Sequence, residues 1–157
     1  PDPRVRTTPE AYAQQHALLR SIYAKLSELN AGLNRLRAVK RQARALAPRL
    51  PAGPLRERAT ALSASLEAIE GALVDIQRES PRDVLRHRAG LDDTIDDLIS
   101  VVAIADESPT TQARDVAVGV MGQVDAQLAK LAALEAGDLA AFNAALRAAG
   151  VEVLGAS

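Results

Sequence analysis

The fold of this chain is decided by residues 8–47, which read TPEAYAQQHALLRSIYAKLSELNAGLNRLRAVKRQARALA. Apolar side chains recur there at alternating steps of three and four residues, namely Leu19, Ile22, Leu26, Leu29, Leu33 and Leu36. This spacing places them on one side of an α-helix, so the stretch is predicted to form a single long helix. At about 1.5 Å per residue it would be about 60 Å long, and the other helices must pack along it.

Proline, glycine and capping residues divide the rest of the chain. Pro48, Pro51 and Pro54 end the first helix, and Pro81 and Pro109 each follow a serine in a typical helix start. The predicted helices span residues 8–47, 54–79, 82–106, 109–136 and 138–149, with an extended entry at 1–7 and a tail at 150–157. Gly137 is expected to interrupt the chain before the last of them, with Asp138 as its cap.

Each later helix carries its own apolar seam. The seam residues are Leu55, Ala59, Leu62, Leu66, Ile69, Leu73 and Ile76, then Val84, Leu91, Ile95, Leu98 and Val102, then Val116, Val120, Val124, Leu128, Leu131 and Leu134, and finally Leu139, Phe142 and Leu146. Short connections favour antiparallel neighbours, so we predict one all-α domain, an up-down-up-down four-helix bundle with a short fifth helix. The break at residues 80–82 is either a hairpin or a kink, and similar lengths of the two flanking helices favour the hairpin.

Composition narrows the classes of function. The chain is 48% hydrophobic but only 2% aromatic, and its net charge of -1 provides no overall field toward nucleic acid or an anionic membrane. The absence of Cys excludes disulfides and thiolate sites, and no apolar run reaches the roughly 18 residues of a membrane span. Because the chain begins at Pro1 without Met, we expect a processed product or part of a longer protein.

An aspartate-rich segment is the strongest chemical motif. Residues 92–97 read DDTIDD, a pattern with which isoprenoid synthases hold Mg²⁺ and a pyrophosphate. Asp92 and Asp96 would share one helix face, as hard cations require. The alternative is that these carboxylates favour a helix N-terminus, where the helix dipole stabilises them. The near absence of aromatic residues favours the second interpretation, and no metal or cofactor is predicted.

Basic residues surround the proline-rich turn, namely Arg35, Arg37, Lys40, Arg41, Arg44, Arg49, Arg56 and Arg58. They suggest a weak anion contact, but they also suit the C-terminus of the first helix. No catalytic residue is predicted, because His16 and His87 stand alone and no serine has a nucleophile motif. Nucleic-acid binding is not expected, since no aromatic residues are interleaved for base stacking.

The end of the first helix is the predicted interaction surface. If this helix extends past its shorter neighbours, Val39, Leu46 and Leu50 are left exposed beside Arg41 and Arg44. The predicted partner is then an upstream domain of a parent chain or a second copy. The alternative is that the helix bends near Lys40, where the seam changes register, and covers its own end.

Three segments also resemble a known family. The entry Pro1-Asp2-Pro3-Arg4-Val5, the connection from Ala105-Asp106 to Pro109-Thr110, and the closing run from Gly137 to Gly150 are similar to the C-terminal helical domain of bacterial secreted sortilin-like β-propeller proteins with sialidase-type repeats. The resemblance implies an extracytoplasmic, periplasmic or secreted module without an active site. We therefore predict a non-catalytic structural or protein-interaction module. The alternatives are a small metal- or anion-dependent enzyme using Asp92–Asp97 and a peripheral binder of anionic surfaces through the basic turn.

Overall fold

The structure is a computed structural model that describes residues 8–74, 90–104 and 108–155. All regular elements in these ranges are helical, which confirms the predicted all-α bundle. The α-helices are α1 (Pro9–Leu46), α2 (Pro54–Leu73), α3 (Leu91–Ile104), α4 (Thr111–Leu134) and α5 (Ala140–Ala148). A short 3-10 helix (Ala47–Arg49) follows α1, and a π-helical segment (Glu135–Leu139) joins α4 to α5.

Helix α1 begins and ends as its sequence predicts. The Thr8 hydroxyl accepts a hydrogen bond from the backbone N–H of Ala11 at 3.2 Å, which satisfies one unpaired donor of the first turn. Pro9 occupies the first helical position, where a missing N–H costs nothing. The helix continues without a break past Lys40 to Leu46.

The described residues group into two compact units. The first comprises residues 8–29, 73–74, 90–104 and 108–125, and the second comprises 30–72 and 126–155. In the second unit, Arg44 contacts Glu67 at 2.8 Å and Arg37 contacts Glu70 at 2.6 Å. Residue numbers rise along α1 as they fall along α2, so these two helices are antiparallel.

Helices α1 and α4 run in the same direction. In the first unit, Arg114 donates to Gln14 at 2.6 Å and Lys25 donates to Asp125 at 2.7 Å, so the numbers rise together along both helices. This differs from the strict alternation of the predicted up-down-up-down order, in which the first and fourth helices are antiparallel. The physical reason is that α4 begins beside the first turns of α1, whereas local periodicity does not specify the direction of a later helix.

The third helix is shorter in the structure than in the prediction. The residue before it, Gly90, is not helical, and its carbonyl accepts from both the N–H and the hydroxyl of Thr94. The helix therefore begins at Leu91 and does not run unbroken from residue 82, consistent with the low helix propensity of glycine. Helix α2 ends at Leu73 and Val74 is not helical, so the predicted second helix, which extended to residue 79, was too long. The choice between hairpin and kink at 80–82 lies outside the described residues.

The junction between α4 and α5 is continuous. Gly137 was expected to interrupt the chain and Asp138 to cap a new helix, but both lie inside the π-helical segment and α5 has no side-chain cap. One wider turn shifts the register without exposing backbone groups, so a break is unnecessary. After α5, Gly150 adopts a φ of 70°, where glycine carries no Cβ penalty.

The core follows the predicted seams with a few corrections. Ile22, Leu29, Leu33, Leu36, Leu66, Ile95 and Phe142 are all buried. Leu19, Leu26 and Leu128 are only half-buried, and in α4 Ala117 is fully buried where Val116 was predicted. Val116 is 46% exposed, because in the first turns of α4 the next residue, Ala117, faces the core instead. In the second unit Gly32 lies against α4, where an added Cβ would be 2.5 Å from Leu128 Cδ2.

Candidate functional site

The aspartate-rich segment forms the first turns of α3. Asp92 and Asp93 lie in the first turn, where the exposed N–H groups and the helix dipole favour carboxylates. Burial raises the pKa of Asp92, and the nearby charges of Asp93 and Asp96 add to this, although backbone hydrogen bonds oppose it. One of its oxygens is buried and has no hydrogen-bond partner among the described residues.

Within residues 8–74, 90–104 and 108–155, this segment does not form a metal cage with its surroundings. In the part of the chain that the structure describes, no group of three or more His, Asp or Glu side chains is arranged to hold a metal ion. Asp96 and Asp97 are exposed on the outer side of the helix. Hard cations take six or more oxygen ligands, and two carboxylates one turn apart supply only part of such a shell. The geometry therefore fits the interpretation in which these residues favour the helix start.

The basic residues near the proline-rich turn mostly have partners inside the second unit. Arg35 contacts Glu135 at 3.6 Å, Arg44 contacts Glu67, and Arg56 Nε donates to the Leu50 carbonyl at 2.8 Å. These contacts stabilise the turn and the adjoining helix ends. A guanidinium that already has a carboxylate or carbonyl partner is less available to an external anion.

A buried ion cluster lies between α1 and α2 in the second unit. The Glu70 side chain is 6% exposed and accepts hydrogen bonds from Arg37 Nε at 2.6 Å and from Lys40 Nζ. Burial by itself raises the pKa of Glu70, but these two hydrogen bonds and charges outweigh it and hold the pKa below its usual range. The Lys40 side chain is only 13% exposed, so its ammonium has little contact with water and is stabilised by the Glu70 carboxylate.

Sequence reasoning missed this cluster, although one signal was present. Lys40 stands where the seam of α1 requires an apolar residue, and it was interpreted as a change of register. A charged residue at a buried helix position requires an opposite charge on the facing helix. Glu70, beside the seam residue Ile69, supplies that charge.

The structure contradicts the predicted exposure of two residues of the interaction surface at the end of α1. Val39 is 1% exposed and Leu50 is 3% exposed, so both belong to the core of the second unit. Leu46 is half-buried, Arg44 is paired with Glu67, and Arg41 is exposed. The prediction failed because α2 covers this part of α1, so the helix end does not present an uncovered seam. Val39 and Leu50 are therefore not available for docking.

An exposed apolar surface occurs instead between α3 and α4 in the first unit. These helices line a groove of about 430 Å³ formed by Thr94, Asp97, Leu98, Val101, Thr110, Gln112, Ala113 and Val116. Val101 is 64% exposed, and Ile104, one turn later on the same face of α3, is 81% exposed. Sequence reasoning placed Val116 in the core, because every seam residue was interpreted as buried.

Several side chains singled out in the sequence have ordinary positions. His16 is exposed, and His87 lies outside the described residues. The hydroxyls of Ser27, Ser63 and Ser100 each donate to the backbone carbonyl four residues earlier in their own helix. That is a usual arrangement for helical serines.

None of the helices in the described ranges combines the length and apolar character that crossing a bilayer requires.

A scan against models of known protein families, a search of curated proteins and a search of solved structures gave no match to this chain. The candidate site therefore has to be interpreted from its own residues.

Proposed function

We propose that this chain is a non-catalytic protein-interaction module whose docking surface is the groove between α3 and α4. The observation that carries this proposal is the exposure of Val101 and Val116 on one groove, with the exposed Ile104 one turn after Val101 on the same face of α3. Isolated exposed aliphatic residues are common, but a cluster along a groove between two helices is typical of a contact surface. Docking of an apolar stripe into such a groove is a common mode of peptide recognition.

Charge indicates which partner this groove fits. Asp97 lines the groove, and the exposed Asp96 lies next to it at the N-terminal end of α3. The residues that line the groove include Asp97 but no Lys or Arg, so a second copy docked groove to groove would add carboxylates without a cation to pair with them, which is unfavourable. The groove instead suits an amphipathic helix whose apolar stripe is flanked by Lys or Arg.

The sequence resemblance suggests where such a partner would be found. In a secreted protein of the sortilin-like β-propeller type, the partner would be another part of a longer extracytoplasmic chain. This setting rests on the resemblance of the quoted segments alone and is part of the proposal. The docking chemistry does not depend on it, because it follows from the residues of the groove.

Two labelled model helices test the proposal. Both carry the same leucine stripe, and one has Lys and the other Glu beside it; binding is measured by fluorescence anisotropy. The Lys helix should bind with a dissociation constant of roughly micromolar order, and the affinity should fall as salt is added. Val101→Asp should weaken binding at least about tenfold, the loss expected when a buried apolar contact is replaced by a charge.

Val118→Asp is the matched control. Val118 is 67% exposed, a fraction similar to the 64% of Val101. It lies on α4 but does not line the groove. This variant should bind the Lys helix as the unmodified chain does. Failure of both helices to bind, or equal losses in the two variants, would overturn the proposal. A dimer that dissociates in Val101→Asp would identify a second copy as the occupant and contradict the charge argument.

A further inference from the structure

The segment after α5 is held through its backbone by two side-chain amides. Asn143 Nδ2 donates to the Leu154 carbonyl at 2.8 Å, and the Leu154 N–H donates to Asn143 Oδ1 at 2.9 Å. Gln42 holds the next residue in the same way. Its Nε2 donates to the Gly155 carbonyl at 2.7 Å, and the Gly155 N–H donates to Gln42 Oε1 at 2.9 Å. Two successive residues thus have both backbone groups paired, as a neighbouring strand would pair them.

One side chain of the segment is the anchor. Leu154 is 6% exposed, whereas Val151 and Val153 are half-buried and Glu152 and Gly155 are exposed. A Cβ added at Gly155 would meet no atom within 4 Å, so this position accepts residues other than glycine. The contacts therefore recognise main-chain groups and one buried apolar side chain of about leucine size.

The surroundings leave room beside the bound segment. Residues 152–155 and the end of α1 enclose an open groove of about 460 Å³, to which α1 contributes Gln42, Ala45 and Leu46. The segment is joined to α5 through a single left-handed turn at Gly150, where the N–H of Val151 donates to the Leu146 carbonyl at 2.9 Å. The segment is covalently attached to α5 at one end. Its other contacts are the hydrogen bonds from Gln42 and Asn143 and the burial of Leu154.

We propose that Gln42 and Asn143 form a binding site for an extended peptide with one apolar anchor residue, and that the chain's own residues 151–155 occupy this site in cis. The hydrogen bonds recognise only main-chain groups, so a peptide supplied in trans satisfies them equally well. The segment then acts as a competitor, which lowers the apparent affinity for an external peptide by the fraction of time it is bound. This site lies in the second unit and is independent of the α3–α4 groove.

The test uses the full chain and a fluorescein-labelled peptide with the sequence of residues 151–157, followed by fluorescence anisotropy. In Leu154→Asp the cis segment loses its anchor, so the peptide should bind this variant at least about tenfold more tightly than it binds the unmodified chain. Adding Gln42→Ala or Asn143→Ala to that variant should weaken binding about fivefold or more, a loss that corresponds to roughly one hydrogen-bond pair. Gln123→Ala is the control. It removes an exposed side-chain amide on a different helix, α4, and should leave peptide binding unchanged.

A peptide in which the leucine is replaced by Asp should not bind. The proposal is overturned if Leu154→Asp keeps its helical signal but does not bind the peptide, or if Gln42→Ala does not change binding. A dimer of the unmodified chain that Leu154→Asp abolishes would show that a second copy occupies the site, which would also overturn it. Hydrogen exchange of the unmodified chain is an independent check that does not depend on a variant's folding. The Leu154 and Gly155 amides should exchange by local opening, faster than the amides within α5; exchange only on global unfolding would mean that the segment is a fixed part of the core.

Discussion

Replacing Glu70 with Ala should destabilise the chain far more than an equivalent change at the surface. Glu70 is almost completely buried, and its loss leaves the Lys40 ammonium in a covered position without an acceptor. Removing one partner of a buried pair typically costs about 3 to 5 kcal/mol. The Arg37 side chain is 43% exposed and can turn to water, so we expect the lower end, about 3 kcal/mol.

The matched control for this prediction is Glu67→Ala. Glu67 lies one turn earlier on α2 and also bridges to α1, at 2.8 Å from Arg44, but both side chains are about half exposed. Exposed pairs contribute about 0 to 1 kcal/mol, so this variant should differ little from the unmodified chain. Urea unfolding followed by circular dichroism at 222 nm measures both free energies of unfolding, with the slope checked for constancy. Equal losses in the two variants would refute the assignment of Glu70 as a buried, charge-compensated residue.

The pH dependence of the unfolding free energy is a second test of the Glu70 ion cluster. Because the pKa of Glu70 is lowered in the folded state, its contribution is fully present above the pKa of an unfolded glutamate, about 4.3, and is lost as the pH falls through the lower folded value. The difference in unfolding free energy between the unmodified chain and Glu70→Gln should therefore be largest near neutral pH. It should shrink as the pH falls below about 4. A difference that grows toward acid pH would contradict the lowered pKa.

Two further predictions concern the core and the aspartate-rich segment. Leu66→Ala should cost about 2 to 5 kcal/mol in urea unfolding, because Leu66 is 1% exposed; a neutral result would contradict its place in the core. Titration of Mg²⁺ followed by calorimetry should show at most weak binding, since the carboxylates of one helix segment do not complete a coordination shell. Micromolar affinity that disappears in Asp92→Asn or Asp96→Asn would overturn the helix-start interpretation.

Local sequence signals were sufficient for the helices themselves. The three-four spacing of Ile22, Leu29 and Leu36 identified α1, and the capping residue Thr8 and the prolines of the turn located its ends. These signals succeed because helical period, caps and proline effects act within a few residues of one another. The start at Gly90 and the π-helical segment after Leu134 were missed, since the first depends on a weak helix former and the second on how α5 packs.

The candidate sites depended on contacts that no local pattern contains. Val39 and Leu50 looked available in the sequence because the reach of α2 along α1 was unknown, and Val116 looked buried because a seam does not reveal which neighbouring register faces the core. Gln42 and Asn143 carried no signal at all, since ordinary amides gain a role only when the segment at Leu154 and Gly155 lies between them.

By itself, the sequence determined the helical class, the long first helix and the buried sides of α1 and α2, because these follow from the backbone period and the cost of exposing apolar surface. Only the tertiary structure decided that α4 runs parallel to α1, that Lys40 is matched by Glu70, and that Val101 remains exposed on the α3–α4 groove. The physical reason is that direction, charge pairing and exposure depend on contacts between residues 30 to 100 positions apart.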